Sequence, residues 1–233
     1  TVRNSGRWGI RVEGGQKSGA AGNDVTATGA GGIQVNGGDR KTLTPGGNFA
    51  DNNYIHHVAA FIRTYNTGIN LNGVGNRATR NLVHDVPHAG MTLGGNENVV
   101  EGNIVHHTNL QSADTGGIYF CSRDWTQRGN IIRHNIFHHL GGFGKVNSWQ
   151  PVRGGKVPFH YPGFTWGIYL DDPTTGTLVY GNILYDVPIC GLHNHGGRDN
   201  TWENNVIVDC PALNAGMLSP NWSEWPPIIG RLK

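Results

Sequence analysis

Charge is scarce in this chain: 15% of its 233 residues are Asp, Glu, Lys or Arg, against about 25% in an average domain. Only five Lys are present, scattered singly, and the net charge is +2 with His neutral. So small a balance, without a basic run, leaves no footprint for nucleic acid or for an anionic membrane surface. Cysteine is sparse too. Cys121, Cys190 and Cys210 make no C-x-x-C pair, which excludes a zinc ribbon and a disulfide framework. No apolar run is long enough to cross a membrane as a helix, and no leader-peptide pattern is present. Stretches of ten residues without Gly or Asn are few, and both residues are poor in helix interiors, so a helical bundle is excluded.

What fills the chain instead is Gly, with 37 residues, and Asn, with 25. Gly does not recur at every third position, so collagen is excluded. Seven each of Trp, Tyr and Phe supply the apolar surface that a disordered chain lacks. An all-β fold with many turns is expected.

A period organises the chain. A Gly-led segment with alternating apolar residues recurs as WGIRVEGG at Trp8, GGIQVNGG at Gly31, TGINLNG at Thr67 and AGMTLGG at Ala89. It returns as GGIYFCSRD at Gly116, WGIYLDD at Trp166 and CGLHNHGG at Cys190. The aligned Gly residues are 23, 36, 22, 27, 50 and 24 residues apart, a unit of 22–24 with insertions. An Asn-led segment keeps step with it, from Asn53, Asn81, Asn103, Asn135, Asn182 and Asn205. Two interleaved strands per unit predict a right-handed single-stranded parallel β-helix, an all-β solenoid of about eight coils, because one coil cannot bury its apolar face alone. The coils are expected over residues 1–212, with loop insertions near 37–50 and 140–166, followed by an irregular Trp/Pro-rich tail over 213–233. The recurring Asn should stack as an amide ladder that satisfies backbone groups from coil to coil.

Alternation along a strand sends the third and fifth residues of each Gly-led segment outward. In the early coils these are bland: Arg11/Glu13, Gln34/Asn36, Asn70/Asn72 and Thr92/Gly94. In the later coils they become Tyr119/Cys121, Tyr169/Asp171 and His193/His195, with Asp172, Arg198 and Asp199 following in turns. Strands stack about 4.8 Å apart, so these groups should form one surface strip. Asp114 and Asp124 flank the Tyr119 strand, which adds carboxylates on the neighbouring coil. A cluster of Asp suits glycosidic hydrolysis, in which one acid protonates the leaving oxygen and a second attacks or activates water. Asp114, Asp171 and Asp172 are the catalytic candidates. Tyr119, Arg123, Asp124, Trp166, Tyr169, His193, His195 and Arg198 are the substrate-binding candidates. The aromatic-rich Leu140–Trp166 insertion, which includes Phe143, Trp149, Phe159 and Phe164, is the expected wall or lid.

The pairs His56/His57, His106/His107 and His138/His139, with His84/Asp85, also invite a metal reading. They recur at one place on several coils, however, and a repeated position serves the coil rather than one site. No metal is assigned to them.

The runs D-T-G-G-I-Y from Asp114, S-R-D-W-T-Q-R-G-N from Ser122, G-I-Y-L-D-D-P-T-T-G from Gly167 and G-G-R-D-N-T-W-E-N-N-V-I-V-D-C-P from Gly196 resemble bacterial right-handed β-helix carbohydrate-active proteins. They are most similar to glycoside hydrolase family 141, which has α-L-fucosidase and xylanase members. The resemblance spans roughly Asn48 to Pro211. It implies a pair of catalytic Asp, matched by Asp114 with Asp171 or Asp172. The terminal parts of the family's domain are not matched, and the chain is expected to continue beyond both ends.

The function expected is therefore hydrolysis of a plant-type polysaccharide or oligosaccharide by a secreted or periplasmic protein. It would need no cofactor, and its partner would be a carbohydrate rather than nucleic acid. The alternatives are a polysaccharide lyase on the same scaffold, in which Ca²⁺ or cationic side chains neutralise a uronate, and a non-catalytic surface or adhesion module. Oligomeric state is left open.

Overall fold

The computed structural model describes residues 1–145 and 159–217, which form a stack of coils. Each coil contributes a strand to each of three parallel sheets of eight, eight and seven strands. Among the described residues no helix is present, and none is long and apolar enough to cross a membrane. The fold is the right-handed parallel β-helix expected from the period.

The Gly-led sheet runs from Ile10–Glu13 to Ala212–Met217, and the Asn-led sheet from Val2–Arg3 to Val206–Val208. The third sheet, from Gly19–Ala21 to Thr201–Glu203, corrects the expectation of two strands per unit. Most of its strands have only three residues, each with a single inward side chain such as Ala20, Ala50, Ala78 or Val100. That is too short for alternation to show in the sequence. The expected boundary at residue 212 also needs correction. Ala212–Met217 pairs in parallel with Cys190–His195, so the sheet reaches into the segment read as irregular. That segment lost the apolar alternation, but strand pairing runs through backbone groups and does not require it. The remainder of that tail, with its NWSEWPP run, lies outside the described residues, as does Trp149.

Register explains the core. Ile33, Ile69, Met91, Ile118, Ile168 and Leu192 are paired strand to strand in one inward column. The first five are at most 1% exposed, and each fully buried side chain of this size contributes about 1.5–3 kcal/mol. The leading Gly is required where the chain enters the sheet. A Cβ on Gly167 would lie 2.4 Å from the Gly191 carbonyl oxygen.

The Asn ladder forms from Asn23 through Asn53, Asn81, Asn103, Asn135 and Asn182 to Asn205. Each Asn Oδ1 accepts the backbone N–H of the Asn one coil earlier at 2.9–3.0 Å. A second ladder, at the entry to the third sheet, links Asn48, Asn76, Asn98 and Asn130. Beside the first ladder, His56, His84, His106 and His138 stack with ring centroids 4.8–5.4 Å apart, and Tyr185 extends the column at 4.7 Å. Their neighbours His57, Asp85, His107, His139 and Asp186 take left-handed backbone angles, with φ of 48–52°. That conformation opens the turn, and His, Asp and Asn adopt it more readily than other non-Gly residues.

Candidate active site

The outer face of the Gly-led sheet changes character where its strands lengthen. Thr115–Cys121 and Thr165–Asp171 have seven residues each and, apart from Cys121, are buried along their whole length. Outward side chains are normally wet, but here an aromatic layer covers them. Tyr119, Tyr169 and His193 are in register on successive coils. Trp166 stacks on His193 at 4.7 Å and 12°, and packs against Tyr169 at 4.3 Å. Phe164 closes edge-on over Trp166 at 4.9 Å. Tyr119, Tyr169, Trp166, Ala89 and Cys190 thus make a second apolar cluster outside the coil. The Leu140–Trp166 insertion is pinched at its base, where Gly144–Lys145 pairs with Phe159–His160 and Phe143 stacks on Phe159 at 5.1 Å.

A cavity of about 660 Å³ opens over this layer. Among its lining residues are Asp114, Asp171 and Asp172, and also Tyr119, Arg123, Trp166, Tyr169, His193 and His195. All three catalytic candidates and six of the eight binding candidates therefore share one wall system.

The carboxylates are held by different partners. Asp171, 8% exposed, accepts from the Tyr119 hydroxyl at 2.6 Å, from its neighbour's backbone N–H at 2.7 Å, and pairs with His195 Nδ1 at 2.7 Å. Asp172 accepts from Arg123 Nε at 2.6 Å and from the Cys121 thiol at 3.3 Å. Asp114 has fewer partners: the Tyr169 hydroxyl stands at a long 3.5 Å from its Oδ1. Asp114 and Asp172 both have left-handed backbone angles, with φ of 57° and 47°. Strained conformations of this kind persist where the surrounding structure over-determines them.

These environments push the two carboxyls in opposite directions. Burial raises the Asp114 carboxyl, and the charge of Asp171 raises it further. Burial also acts to raise Asp171, but the hydrogen bonds from His195 and Tyr119 outweigh it and hold the group at about 2. The bond to Asp171 raises His195, while burial lowers His193 to about 4 and keeps it neutral. Burial and the charge of Asp171 push both tyrosine hydroxyls far up, so they remain donors. Two carboxyls driven apart in this way are the arrangement used for general-acid and base or nucleophile roles.

Asp124 and Arg198 are not part of this cavity, which corrects the expected gathering. Asp124 closes the turn after the Tyr119 strand: its Oδ1 accepts from the Thr126 N–H and hydroxyl, and its Oδ2 pairs with Arg40 at 3.0 Å. Arg198 lies over the Trp125 ring at 4.7 Å. Both sit past the strand ends, where the chain has turned toward the third sheet. Several wall residues were not singled out from the sequence. Tyr65 and Ile189 reach the cavity from turns, where no alternation marks a direction, and Tyr65 packs on the buried His88 at 5.1 Å. The Phe61–Tyr65 insertion, aromatic and exposed, was the available signal.

Cys121, Asp171 and Asp172 are the one group among the described residues whose donor atoms lie close enough to share an ion, within 4.8 Å. Their chemistry disfavours it. Burial pushes the thiol up to about 12, so it is a donor rather than a thiolate, and Arg123 already places positive charge on Asp172.

A model of a family described as right-handed β-helix region matches residues 1–150 and 67–223, nearly the whole chain. The chain belongs to the right-handed β-helix family. Neither a curated protein nor a solved structure matches it. Membership in the right-handed β-helix family fits a carbohydrate-active or surface module, and finer function has to be argued from the cavity itself.

Proposed function

We propose that this β-helix protein is a glycoside hydrolase acting on a plant-type polysaccharide or oligosaccharide, similar to glycoside hydrolase family 141. One observation carries the reading: two aspartates share one aromatic-walled cavity, and their carboxyls are pushed in opposite directions, Asp114 up and Asp171 down. Asp114 is the general acid that protonates the leaving glycosidic oxygen. Asp171, ionised and held by His195 and Tyr119, is the base or nucleophile. Asp172, neutralised by Arg123, is a positioning residue: its backbone N–H donates to the Asp171 carboxylate, and its own carboxylate holds the Arg123 guanidinium in place. Tyr119, Tyr169, His193 and Trp166 form the apolar wall beside the reacting sugar, with Arg123 and His195 at its polar edge. A secreted or periplasmic location goes with such a substrate.

Defined oligosaccharides incubated with the protein should yield reducing ends without unsaturation, and Asp114→Asn and Asp171→Asn should each lower turnover by about 10²–10⁴-fold, the contribution of one general acid or base. Near-normal turnover in both variants would overturn the assignment. A polysaccharide lyase is the second reading, favoured by the Arg123 guanidinium on the wall. Unsaturated products in the same assay would establish it instead.

A further inference from the structure

A second groove lies immediately beyond the first cavity, on the turns that lead from the Gly-led sheet to the third sheet. It encloses about 480 Å³. Arg123 faces the cavity, whereas Trp125, Gln127 and Arg128, a few residues on, line the groove. Four cations line it, Arg40, Lys41, Arg128 and Arg198, against a single lining carboxylate, Asp199. Asp124 at the edge balances Arg40, and Asp199 lies 3.8 Å from Arg198. Lys41 and Arg128 form no ion pair with any described residue. In a chain with a net charge of only +2, this is a local concentration of positive charge rather than a basic face.

The groove is built from braced parts. Arg40 is fixed by Asn96 Oδ1 at 2.8 Å as well as by Asp124, and Asn96 in turn donates to the Thr126 carbonyl at 2.9 Å. Trp125 is half-buried under the Arg198 guanidinium. Gln127 is 7% exposed, yet its Oε1 has no hydrogen-bond partner among the described residues, and the same holds for Trp125 Nε1. Buried polar atoms of that kind are few in native structures and call for an explanation.

We infer that this groove is a second carbohydrate subsite, which takes a sugar carrying an anionic substituent. A Trp platform suits a sugar ring, guanidiniums such as those of Arg128 and Arg198 suit a carboxylate or sulfate, and the position lets one chain run from the cavity over Arg123 into the groove. The inference extends the carbohydrate reading of the cavity but does not depend on its catalysis.

The test is a calorimetric titration of the full chain carrying Asp171→Asn, so that nothing is consumed. The ligands are a uronate oligosaccharide, a sulfated one, a neutral one of equal length, inorganic sulfate, and a single-stranded oligonucleotide. At least one anionic oligosaccharide should bind at least about tenfold more tightly than the neutral one, and Trp125→Ala and Arg128→Ala should each remove about that margin. The uronate and sulfate arms identify the substituent. Equal affinity for the neutral sugar, unaltered affinity in both variants, or inorganic sulfate or the oligonucleotide binding as tightly as the anionic sugars would overturn the inference. Binding of the anionic sugar by a wild-type protein that cleaves no sugar would leave the groove standing and remove the hydrolase reading. Hydrolysis with no preference for charge would do the reverse.

Discussion

At Asp114, burial and the charge of Asp171 act in the same direction, so the folded protein holds a proton there more tightly than an unfolded chain would. A group raised in this way stabilises the fold at low pH and loses that contribution as pH rises through its folded value. Asp114→Asn should therefore keep or raise the melting temperature near neutral pH while abolishing hydrolysis. Asp171 is the opposite case. Its folded value of about 2 lies below the ordinary aspartate value of 3.8, so its contribution is present above 3.8 and is lost as pH falls toward 2. Asp171→Asn removes the charge from three hydrogen bonds and should destabilise by roughly 2 kcal/mol. Urea melts of the two variants at neutral pH check the contrast, and equal destabilisation would show that the two carboxyls are not differently held.

At the scale of elements, the Asn ladders do what side chains in a sandwich cannot: they carry backbone hydrogen bonding around a corner. Asn103 Oδ1 accepts from the Asn81 N–H and side-chain amide, and Asn103 Nδ2 donates to the Ala78 carbonyl and to Asn135 Oδ1. Asn103→Ala leaves these partners buried and unsatisfied, at about 1–3 kcal/mol for each orphaned group. An expected loss of at least about 3 kcal/mol is measurable in chemical denaturation. A loss below about 1 kcal/mol would mean that water replaces the amide. The histidine column differs in kind, because its rings stack at the surface of the same turn. Burial lowers His106 to about 4, and the adjacent His84 and His138 lower it further.

For the whole molecule, acid should be the weak side. Burial lowers His88 to about 4, and likewise His106 and His193, each from 6.5. A base depressed in the fold contributes stability that is present above its unfolded value and lost as pH falls through the folded one. The window is therefore 6.5 down to about 4. Thermal melts should fall progressively from pH 6.5 to 4, earlier than the carboxylates alone would dictate. A flat melting temperature down to pH 4 would refute this. Stacked coils respond together because each coil buries its apolar face only against its neighbours.

The period, the inward Ile, Leu and Val positions and the first Asn ladder were legible in the sequence, because a solenoid repeats the same local requirement on every coil. The outward strip was legible for the same reason: parity and stacking alone put Tyr119, Tyr169 and His193 in one column. The third sheet was not, since strands of three residues with one inward side chain leave no alternation to read. Nor were Tyr65 and Ile189, which come from turns, or the separation of Asp124 and Arg198 from the cavity. Side chains beyond a strand end take their direction from how the next turn folds over its neighbours. The opposite shifts of Asp114 and Asp171 belong to the tertiary structure as well. They follow from burial and from hydrogen bonds between coils about 50 residues apart in sequence, and no local pattern encodes those distances.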